Sequence, residues 1–257
     1  MQSPFSYHDY VSDDTFMKGY SEYQKRYAQR IRESDRVMID LVRARVIDNL
    51  RNKQPVSLLD IGCSTGNLLL HMKNQLPGLS LTGGDMVPKI LDQCRLDPAL
   101  SGVEFKEMNI LDLGLNETFD VITANAVVYL FSSDELNLAL QNINRALKPG
   151  GWFIAFDLFH PLEQDLEVFE KSSTHPNGIM LHLRPYSKVI AGLERNHLTN
   201  TTFRPFSIPV DLAKPESLDD ITSHTIMSES GERMLFRGVL YQPWCFLATQ
   251  KNGSSRA

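Results

Sequence analysis

Short apolar runs alternate with longer amphipathic runs from Val56 to Asp157, and this alternation limits the chain to a small group of folds. A helix between two strands carries the chain back across the sheet, so the next strand lies parallel to the first. The pattern therefore predicts an α/β fold with a doubly wound, mostly parallel sheet. The predicted strands span 56–61, 79–84, 103–107, 119–124 and 151–157. The predicted helices between them span 66–76, 87–96 and 133–147.

Both ends of the chain have their own character. Residues 21–50 contain no glycine or proline and have helical periodicity, which predicts an N-terminal helix in one or two pieces. After Asp157 the pattern predicts a helix over 185–197, a strand near 201–209 and a final strand pair near 234–250. We expect one domain, with 1–50 as a helical cap, 51–157 as the core, 158–184 and 210–233 as cover over a pocket, and 185–209 and 234–251 completing the sheet.

Charge and cysteine content narrow the class of protein. The 257 residues carry a net charge of -5, so no diffuse positive field favours a nucleic acid. The one basic stretch, 25–36, is interleaved with Glu33 and Asp35 and is interpreted as a solvated helix face. Three widely spaced cysteines indicate a reducing compartment, and no basic leader or long apolar run is present. We expect a cytoplasmic protein without membrane contact.

The stretch "SLLDIGCSTGNLL", residues 57–69, is the turn from the first strand into the first helix. In a doubly wound sheet this turn faces the ligand crevice, and glycine lets the backbone approach a ligand closely. A dinucleotide fingerprint would need glycine at 62, 64 and 67, but positions 64 and 67 are Ser64 and Asn67. No "GK[ST]" follows, so a P-loop is excluded as well.

The motif "LLDIGCSTG" resembles the first motif of the class I methyltransferases that use S-adenosylmethionine, except that Ser64 replaces the usual middle glycine. The segments "LTGGDM", "FKEMNILDL", "FDVITANAVVYLF" and "LKPGGWFIAFD" resemble later landmarks of that family in the right order. The resemblance implies a Rossmann-like sheet of seven strands with an antiparallel C-terminal strand. It also implies S-adenosyl-L-methionine as the cofactor.

The resemblance assigns roles to single positions. Asp85 would accept hydrogen bonds from the ribose hydroxyls, Met86 would lie against adenine, and Asp60 would lie near the methionyl amino group. Asn109 stands where the family has an acid that binds the adenine amino group; its amide oxygen can accept that bond, and Asp112 is a nearby alternative. The implied cofactor contacts are Asp60, Gly62, Cys63, Gly66, Asp85, Met86, Asn109, Ile110, Asn125 and Ala126.

The methyl acceptor is harder to predict, because methyl transfer from a sulfonium needs alignment and water exclusion more than a fixed catalytic triad. The sequence after strand four, "NAVVY", lacks the prolines with which nucleic-acid methyltransferases of this fold hold a flipped base, so we expect a small molecule. His160 is the candidate general base. The candidate substrate contacts are Tyr20, Tyr27, Tyr129 and Phe131.

Several alternatives stay open at this point. No metal site is predicted, since the seven histidines lack zinc spacing and Asn125 with Asp157 does not make an oxygen cage. Trp244 and Phe246 alternate on a strand, which is typical of a core or of a homodimer interface. An NAD-dependent oxidoreductase and a catalytically silent cofactor-binding protein are the competing functions, and the acceptor atom is undetermined.

Overall fold

The computed structural model describes residues 24, 27–28, 30–170, 178–213, 223–228, 230–237 and 240–253. Gln24, Tyr27 and Ala28 have helical backbone, whereas residues 30–32 do not. The N-terminal helical region therefore has two pieces, and the second is a regular helix from Glu33. Tyr20 lies outside the described residues.

Five helices and twelve strands make up the described chain. The helices are α1 (Glu33–Arg51), α2 (Asn67–Gln75), α3 (Pro88–Leu96), α4 (Ser133–Ala146) and α5 (Tyr186–Arg195), with short 3-10 turns at Pro98–Leu100 and Val128–Leu130. The first six strands are β1 (Val56–Ile61), β2 (Leu79–Asp85), β3 (Glu104–Glu107), β4 (Phe119–Asn125), β5 (Leu147–His160) and β6 (Leu166–Glu170). The others are β7 (Ile179–Pro185), β8 (Leu198–Pro205), β9 (Ser223–Met227), β10 (Arg233–Arg237), β11 (Leu240–Tyr241) and β12 (Trp244–Lys251).

The main sheet has the order β3-β2-β1-β4-β5-β12-β8, and its first five strands are parallel. β12 runs antiparallel to both β5 and β8. The strand order reverses between β1 and β4, and the carboxyl ends of these strands open a crevice there, where ligands bind in such sheets. The predicted Rossmann-like, doubly wound sheet with an antiparallel C-terminal strand is confirmed.

The expected final strand pair near 234–250 is wrong in its first strand. β10 does not join the main sheet but forms a small antiparallel sheet with β9 and β11. The partner of β12 is β8, about forty residues earlier in the chain. Strand propensity marked both segments, but hydrogen-bond pairing between distant segments decided which one completes the main sheet.

The core has one layer on each face of the sheet. Successive side chains of a strand point to opposite faces, so β5 places Phe153 and Ala155 in one layer and Ile154 and Phe156 in the other. The first layer is covered by α4 and α5, and the second by α1, α2 and α3. Burial of apolar surface on both faces supplies most of the driving force for the fold, and it fixes where each strand ends at the crevice.

Candidate functional site

A cleft of about 1010 Å³ lies at the carboxyl ends of β1, β2 and β4. The turns after these strands form its floor, and residues 30–36 together with Gln24 and Tyr27 form one wall. Residues 206, 208–210 and 212 close the opposite side with Leu235. The predicted contacts Asp60, Gly62, Cys63, Asp85, Asn125 and Ala126 all line this cleft.

Gly62 and Gly66, the two glycines of the first turn, have different structural roles. Gly62 has φ +74° and lies so close to Val127 that an added Cβ would be 2.6 Å from its Cγ2 atom. Any side chain at 62 would therefore push the β1 and β4 turns apart. Gly66 does not line the cleft; an added Cβ there would be 2.9 Å from the Leu100 Cδ1 atom, so its role is packing.

Ser64, at the position where the resembling motif has glycine, also has a left-handed backbone, with φ +49°. Its backbone N–H donates to Asp85 Oδ2 at 2.8 Å, so the turn keeps the geometry that a glycine would give. Its hydroxyl is buried and has no hydrogen-bond partner among the described residues. Both the backbone conformation and the buried hydroxyl destabilise the folded state.

We expect Ser64→Gly to raise the free energy of unfolding by about 1 kcal/mol, because it removes the left-handed strain and the unpaired hydroxyl together. Urea denaturation measures the change. Ser64→Ala is the matched control: it removes the hydroxyl but keeps a Cβ in the left-handed conformation, so it should stabilise less than glycine. A glycine variant less stable than the wild type would contradict this account of the turn.

Asp85, the last residue of β2, connects two turns of the cleft floor. Its Oδ2 accepts from Ser64 N–H at 2.8 Å and its Oδ1 accepts from Val87 N–H at 3.0 Å. Burial raises the pKa of the carboxyl, while these backbone N–H groups oppose the rise. A carboxylate has about four acceptor positions, so two remain for donors of a ligand.

Asp60, the penultimate residue of β1, is buried beneath the cleft. Its Oδ1 accepts from the Thr123 hydroxyl at 2.7 Å, and Thr123 lies beside it on β4. The pKa of Asp60 is raised to about 7, mainly by burial; the nearby Asp35 and Asp85 carboxylates add to the rise and the Thr123 hydrogen bond opposes it. A bound cation would remove this penalty.

Asp35, in the first turn of α1, is a site residue that the sequence analysis missed. It is only 1% exposed and lines the cleft, so the interpretation of 25–36 as a solvated face is wrong at this position. Its Oδ1 accepts from Asn125 Nδ2 at 3.0 Å, and its Oδ2 has no partner among the described residues. Asp35 precedes the buried Met38, Ile39 and Val42 at helical spacing, so an acid on the buried stripe was the available signal.

Asp35, Asp60 and Asp85 do not lie close enough together to form a metal site. In the described part of the chain, no three His, Cys, Asp or Glu side chains lie close enough together to hold a metal ion. Asp35, Asp60 and Asp85 come from three different elements and each binds its own neighbour. They surround the cleft floor with negative charge, which suits a cationic organic ligand.

Cys63 lines the same floor but is not a nucleophile. Burial raises the pKa of its thiol well above the usual value, and the neighbouring Asp85 and Asp60 raise it further. Cys94, behind the turn, has its pKa raised to about 12, mainly by burial. Both thiols stay protonated at physiological pH, so Cys63 contributes backbone and packing to the site.

Four predicted cofactor contacts lie outside the cleft lining: Gly66, described above, and Met86, Asn109 and Ile110. Asn109 uses its side-chain oxygen to accept from the Leu111 N–H at 2.9 Å, which stabilises the turn after β3. The acceptor that we expected for the adenine amino group is thus engaged locally. Ile110 is 2% exposed and packs in the core.

The part of the cleft away from the carboxylates is apolar and aromatic. Trp244 stacks on Phe156 with ring centroids 4.9 Å apart, and the Tyr129 ring meets Trp244 edge-on at 5.8 Å. Phe206 meets Phe156 edge-on at 5.3 Å. Tyr27 lies on the opposite wall, with the Arg32 guanidinium 4.1 Å from the centre of its ring. Tyr27, Tyr129 and Trp244 all line the cleft.

Phe131 and His160 are not in the cleft. Phe131 is fully buried in the core, and its carbonyl oxygen accepts from Arg184. His160 is the last residue of β5, is 4% exposed and does not line the cleft. Strand β5 continues three residues further than predicted because it pairs with β7, and this extension carries His160 past the cleft. The structure therefore does not bring His160 together with the cleft residues.

The expected cover over 158–184 also lies elsewhere. No described residue of this stretch lines the cleft. The β6–β7 hairpin instead packs behind the aromatic wall, where Leu158, Leu181 and Leu183 contact Tyr129 and Trp244. Covering residues come from the 206–212 strip, which sequence reasoning assigned mostly to the end of the sheet.

Residues 58–151 match the sequence profile of a family described as a methyltransferase domain. A malonyl-[acyl-carrier protein] O-methyltransferase of Haemophilus ducreyi is 30% identical over 151 residues, covering 57% of this chain and 55% of that protein. A demethylmenaquinone methyltransferase of Thermus thermophilus is 31% identical over 122 residues, covering 46% of this chain and 54% of that protein. The chain thus spans just over half the length of these two curated relatives.

A likeness at the level of fold extends over nearly the whole chain. An O-methyltransferase family protein from Burkholderia thailandensis superimposes with a TM-score of 0.60 at 14% sequence identity, covering 98% of this chain and 65% of that one. The cleft residues Asp60, Asp85 and Asn125 fall inside the matched 58–151 segment, whereas Asp35 and the 206–212 strip fall outside it. Among the described helices, none is both long and apolar enough to span a bilayer.

Proposed function

We propose that this protein is a class I methyltransferase that transfers a methyl group from S-adenosylmethionine to a small-molecule acceptor, since residues 58–151 match a methyltransferase domain. The observation that carries the proposal is the pair of zones in one cleft. The carboxylate-rich floor suits binding of a cationic cofactor, and the aromatic wall beside it suits binding of the acceptor.

The described residues fit S-adenosylmethionine. Asp85 keeps two acceptor positions for ribose hydroxyls after binding Ser64 and Val87. Gly62 leaves open the close backbone approach that the methionyl part needs. Asp60, buried and negatively charged when ionised, suits a ligand with an ammonium and a sulfonium group.

The acceptor zone supports a small, partly apolar molecule. Its walls are Phe156, Trp244, Tyr129 and Phe206, which offer stacking surfaces for a ring or an acyl chain. The cleft volume of about 1010 Å³ is of the order of the largest common small-molecule sites, enough for a cofactor with an acceptor beside it. We propose the 206–212 strip and residues 30–36 as the cover that excludes water.

When bound, the cofactor supplies an electrophilic methyl carbon attached to a sulfonium sulfur. The sulfur keeps the electron pair of the broken carbon–sulfur bond, so the leaving group is a neutral thioether. The residues of this chain align the acceptor atom with that carbon, and alignment of this kind supplies much of the rate enhancement. The titratable side chains at the acceptor zone are Tyr27, Glu33 and Tyr129. An acceptor that needs deprotonation would pass its proton to the Glu33 carboxylate or to water, since each tyrosine phenol already carries its own proton.

Calorimetric titration with S-adenosylhomocysteine tests the proposal, with NADH titrated in parallel. Micromolar binding of S-adenosylhomocysteine alone is the expected result, after which labelled S-adenosylmethionine and a panel of aromatic and acyl acceptors identify the methylated class. Binding of NADH alone would favour an oxidoreductase. Cofactor binding without methyl transfer to any acceptor, nucleic acids included, would favour the catalytically silent alternative.

Asp85→Ala should weaken S-adenosylhomocysteine binding roughly ten- to hundredfold, the equivalent of about 1–3 kcal/mol for acceptor groups lost by the ribose. The variant also loses the hydrogen bond that holds Ser64, which adds to the effect. Asp92→Ala is the matched control, since Asp92 is an exposed acid on α3 paired only with Arg95 on the same helix. Unchanged affinity in a folded Asp85→Ala protein would remove Asp85 from the site.

The compartment can be proposed on chemical grounds. Cys63, Cys94 and Cys245 are all buried and unpaired by disulfides, which supports a reducing environment such as the cytoplasm. Expression with a fluorescent tag in the native host tests this location.

A further inference from the structure

The unpartnered oxygen of Asp35 is the least explained feature of the cleft. Buried polar atoms in folded proteins almost always have a hydrogen-bond partner, and a carboxylate oxygen without one is costly. Asp35 is 1% exposed, and its Oδ2 has no donor among the described residues although the side chain lines the cleft. A donor supplied by a ligand would complete its hydrogen bonding.

The position of Asp35 relative to Asp60 indicates what kind of donor is missing. Thr123 and Asn125 alternate along β4 and so point to the same face of the sheet. Thr123 donates to Asp60 Oδ1 at 2.7 Å, and Asn125 Nδ2 donates to Asp35 Oδ1 at 3.0 Å. Two donors that are two residues apart on β4, about 7 Å along the strand, therefore bind two buried carboxylates from other elements.

The two carboxylates repel each other, since Asp35 raises the pKa of Asp60. Arg32 and His71 lower the pKa of Asp35, yet burial outweighs them and the pKa stays raised; the Arg32 guanidinium itself donates to Gln24 Oε1 and lies over the Tyr27 ring. An ammonium group of a ligand has three donors and a full positive charge, so it could bind both carboxylates at once.

We propose that Asp35 binds the methionyl ammonium group of the cofactor, together with Asp60, so that helix α1 completes the cofactor site. This inference rests on the proposed function. It assigns a cofactor-binding role to a residue outside the segment that matches the methyltransferase domain. It also gives α1 a role in binding: the helix is held over the cleft partly by a ligand contact.

Two ligands that differ by one group test the role of Asp35. One is S-adenosylhomocysteine, and the other is its deamino analogue, in which hydrogen replaces the amino group and the carboxylate is retained. For Asp35→Asn we expect the Kd of S-adenosylhomocysteine to rise roughly ten- to hundredfold, as for a charged hydrogen bond. The Kd of the deamino analogue should change by less than about twofold, since it lacks the group that Asp35 binds.

The matched controls are on the same helix and in the same site. Asp40→Asn changes an acid of α1 that is exposed and pairs with Arg43, so it should leave both Kd values unchanged. Asp85→Ala should weaken both ligands alike, because both keep the ribose. Asp35→Asn keeps an oxygen that can accept from Asn125. If the Asp35→Asn variant does not fold, the same titrations are made with Asp35→Ser instead.

The outcomes separate this inference from the proposed function. A wild-type protein that binds neither ligand overturns both. Wild-type binding of S-adenosylhomocysteine with no loss in the Asp35 variant, or with equal loss for the deamino analogue, overturns the role of Asp35 alone.

Discussion

Asp157→Ala is expected to lower the free energy of unfolding by roughly 3 kcal/mol or more, because it leaves the N–H groups of Val127 and Val128 without their acceptor and removes a carboxylate that offsets the charge of Arg184. Asp157 is fully buried, and Arg184 is 1% exposed. Burial raises the pKa of Asp157 to about 6, while backbone N–H groups and Arg184 oppose the rise, so the carboxyl is mostly ionised at pH 7–8. The Arg184 guanidinium is a nearby positive charge that favours the ionised carboxylate.

The two side chains together hold the turn after β4. Asp157 Oδ2 accepts from the N–H groups of Val127 and Val128 at 3.1 and 2.8 Å. Arg184 donates to the carbonyl oxygens of Val128, at 3.0 Å, and Phe131. This turn carries Ala126 and Tyr129 into the cleft, so we expect Asp157→Ala to weaken ligand binding as well.

Urea denaturation at pH 7.5 measures the loss of stability. Asp40→Ala is the matched control, since Asp40 pairs with Arg43 at the surface and such pairs contribute about 1 kcal/mol or less. Asp157→Ala combined with Arg184→Met should recover part of the loss, because the second change removes a buried charge that has lost one of its counter-charges. A loss below about 1 kcal/mol for Asp157→Ala would contradict the proposed role of the pair.

Asp60→Asn is expected to have opposite effects on stability and on binding. The folded-state pKa of Asp60 is raised to about 7, above its unfolded value, because burial and the neighbouring Asp35 and Asp85 disfavour the ionised form. A raised acid pKa favours folding of the protonated form, so stability falls as pH rises between about 4 and about 7. Asparagine stays neutral, and its oxygen can still accept from Thr123.

The gain in stability from Asp60→Asn should therefore be small near pH 4 and reach up to roughly 4 kcal/mol at pH 8. At the same time S-adenosylhomocysteine binding should weaken at least about tenfold, since a charge that faces the ligand ammonium is lost. Urea denaturation at pH 5 and pH 8, with calorimetric titration at pH 8, measures both effects. Asp92→Asn is the control for an exposed acid, and a stability difference independent of pH would refute the assignment.

These opposing effects explain why a buried acid stays in this position. The ligand-free protein is less stable when Asp60 is ionised, and binding of a cationic ligand offsets this loss of stability. Binding of such a ligand should lower the pKa of Asp60 and release protons near pH 7, which makes the affinity rise with pH across that range.

The local patterns of the sequence predicted much of the fold and the floor of the cleft. Apolar periodicity gave the parallel strands and the helices between them to within a few residues, since each element must bury its own apolar face. The turn "DIGCSTG" and the acid at the end of β2 placed Gly62 and Asp85, because consecutive parallel strands end at one edge of the sheet. Ser64 keeps a glycine-like backbone there, so the substitution did not mislead the prediction.

Contacts between distant segments decided the rest. Asp35 has the sequence surroundings of a solvated residue, and only the packing of α1 against the β4 edge turned it into the cleft. His160 stands in a loop-like sequence, yet pairing of β5 with β7 extended the strand and carried it away from the cleft. The strand that completes the sheet was β8 rather than β10, although both have strand-like sequences. Periodicity shows which face of an element is apolar, so the sequence by itself determined the helices, the strands and the glycine turn. Which other element each apolar face packs against depends on the whole chain, so those contacts were decided only by the tertiary structure.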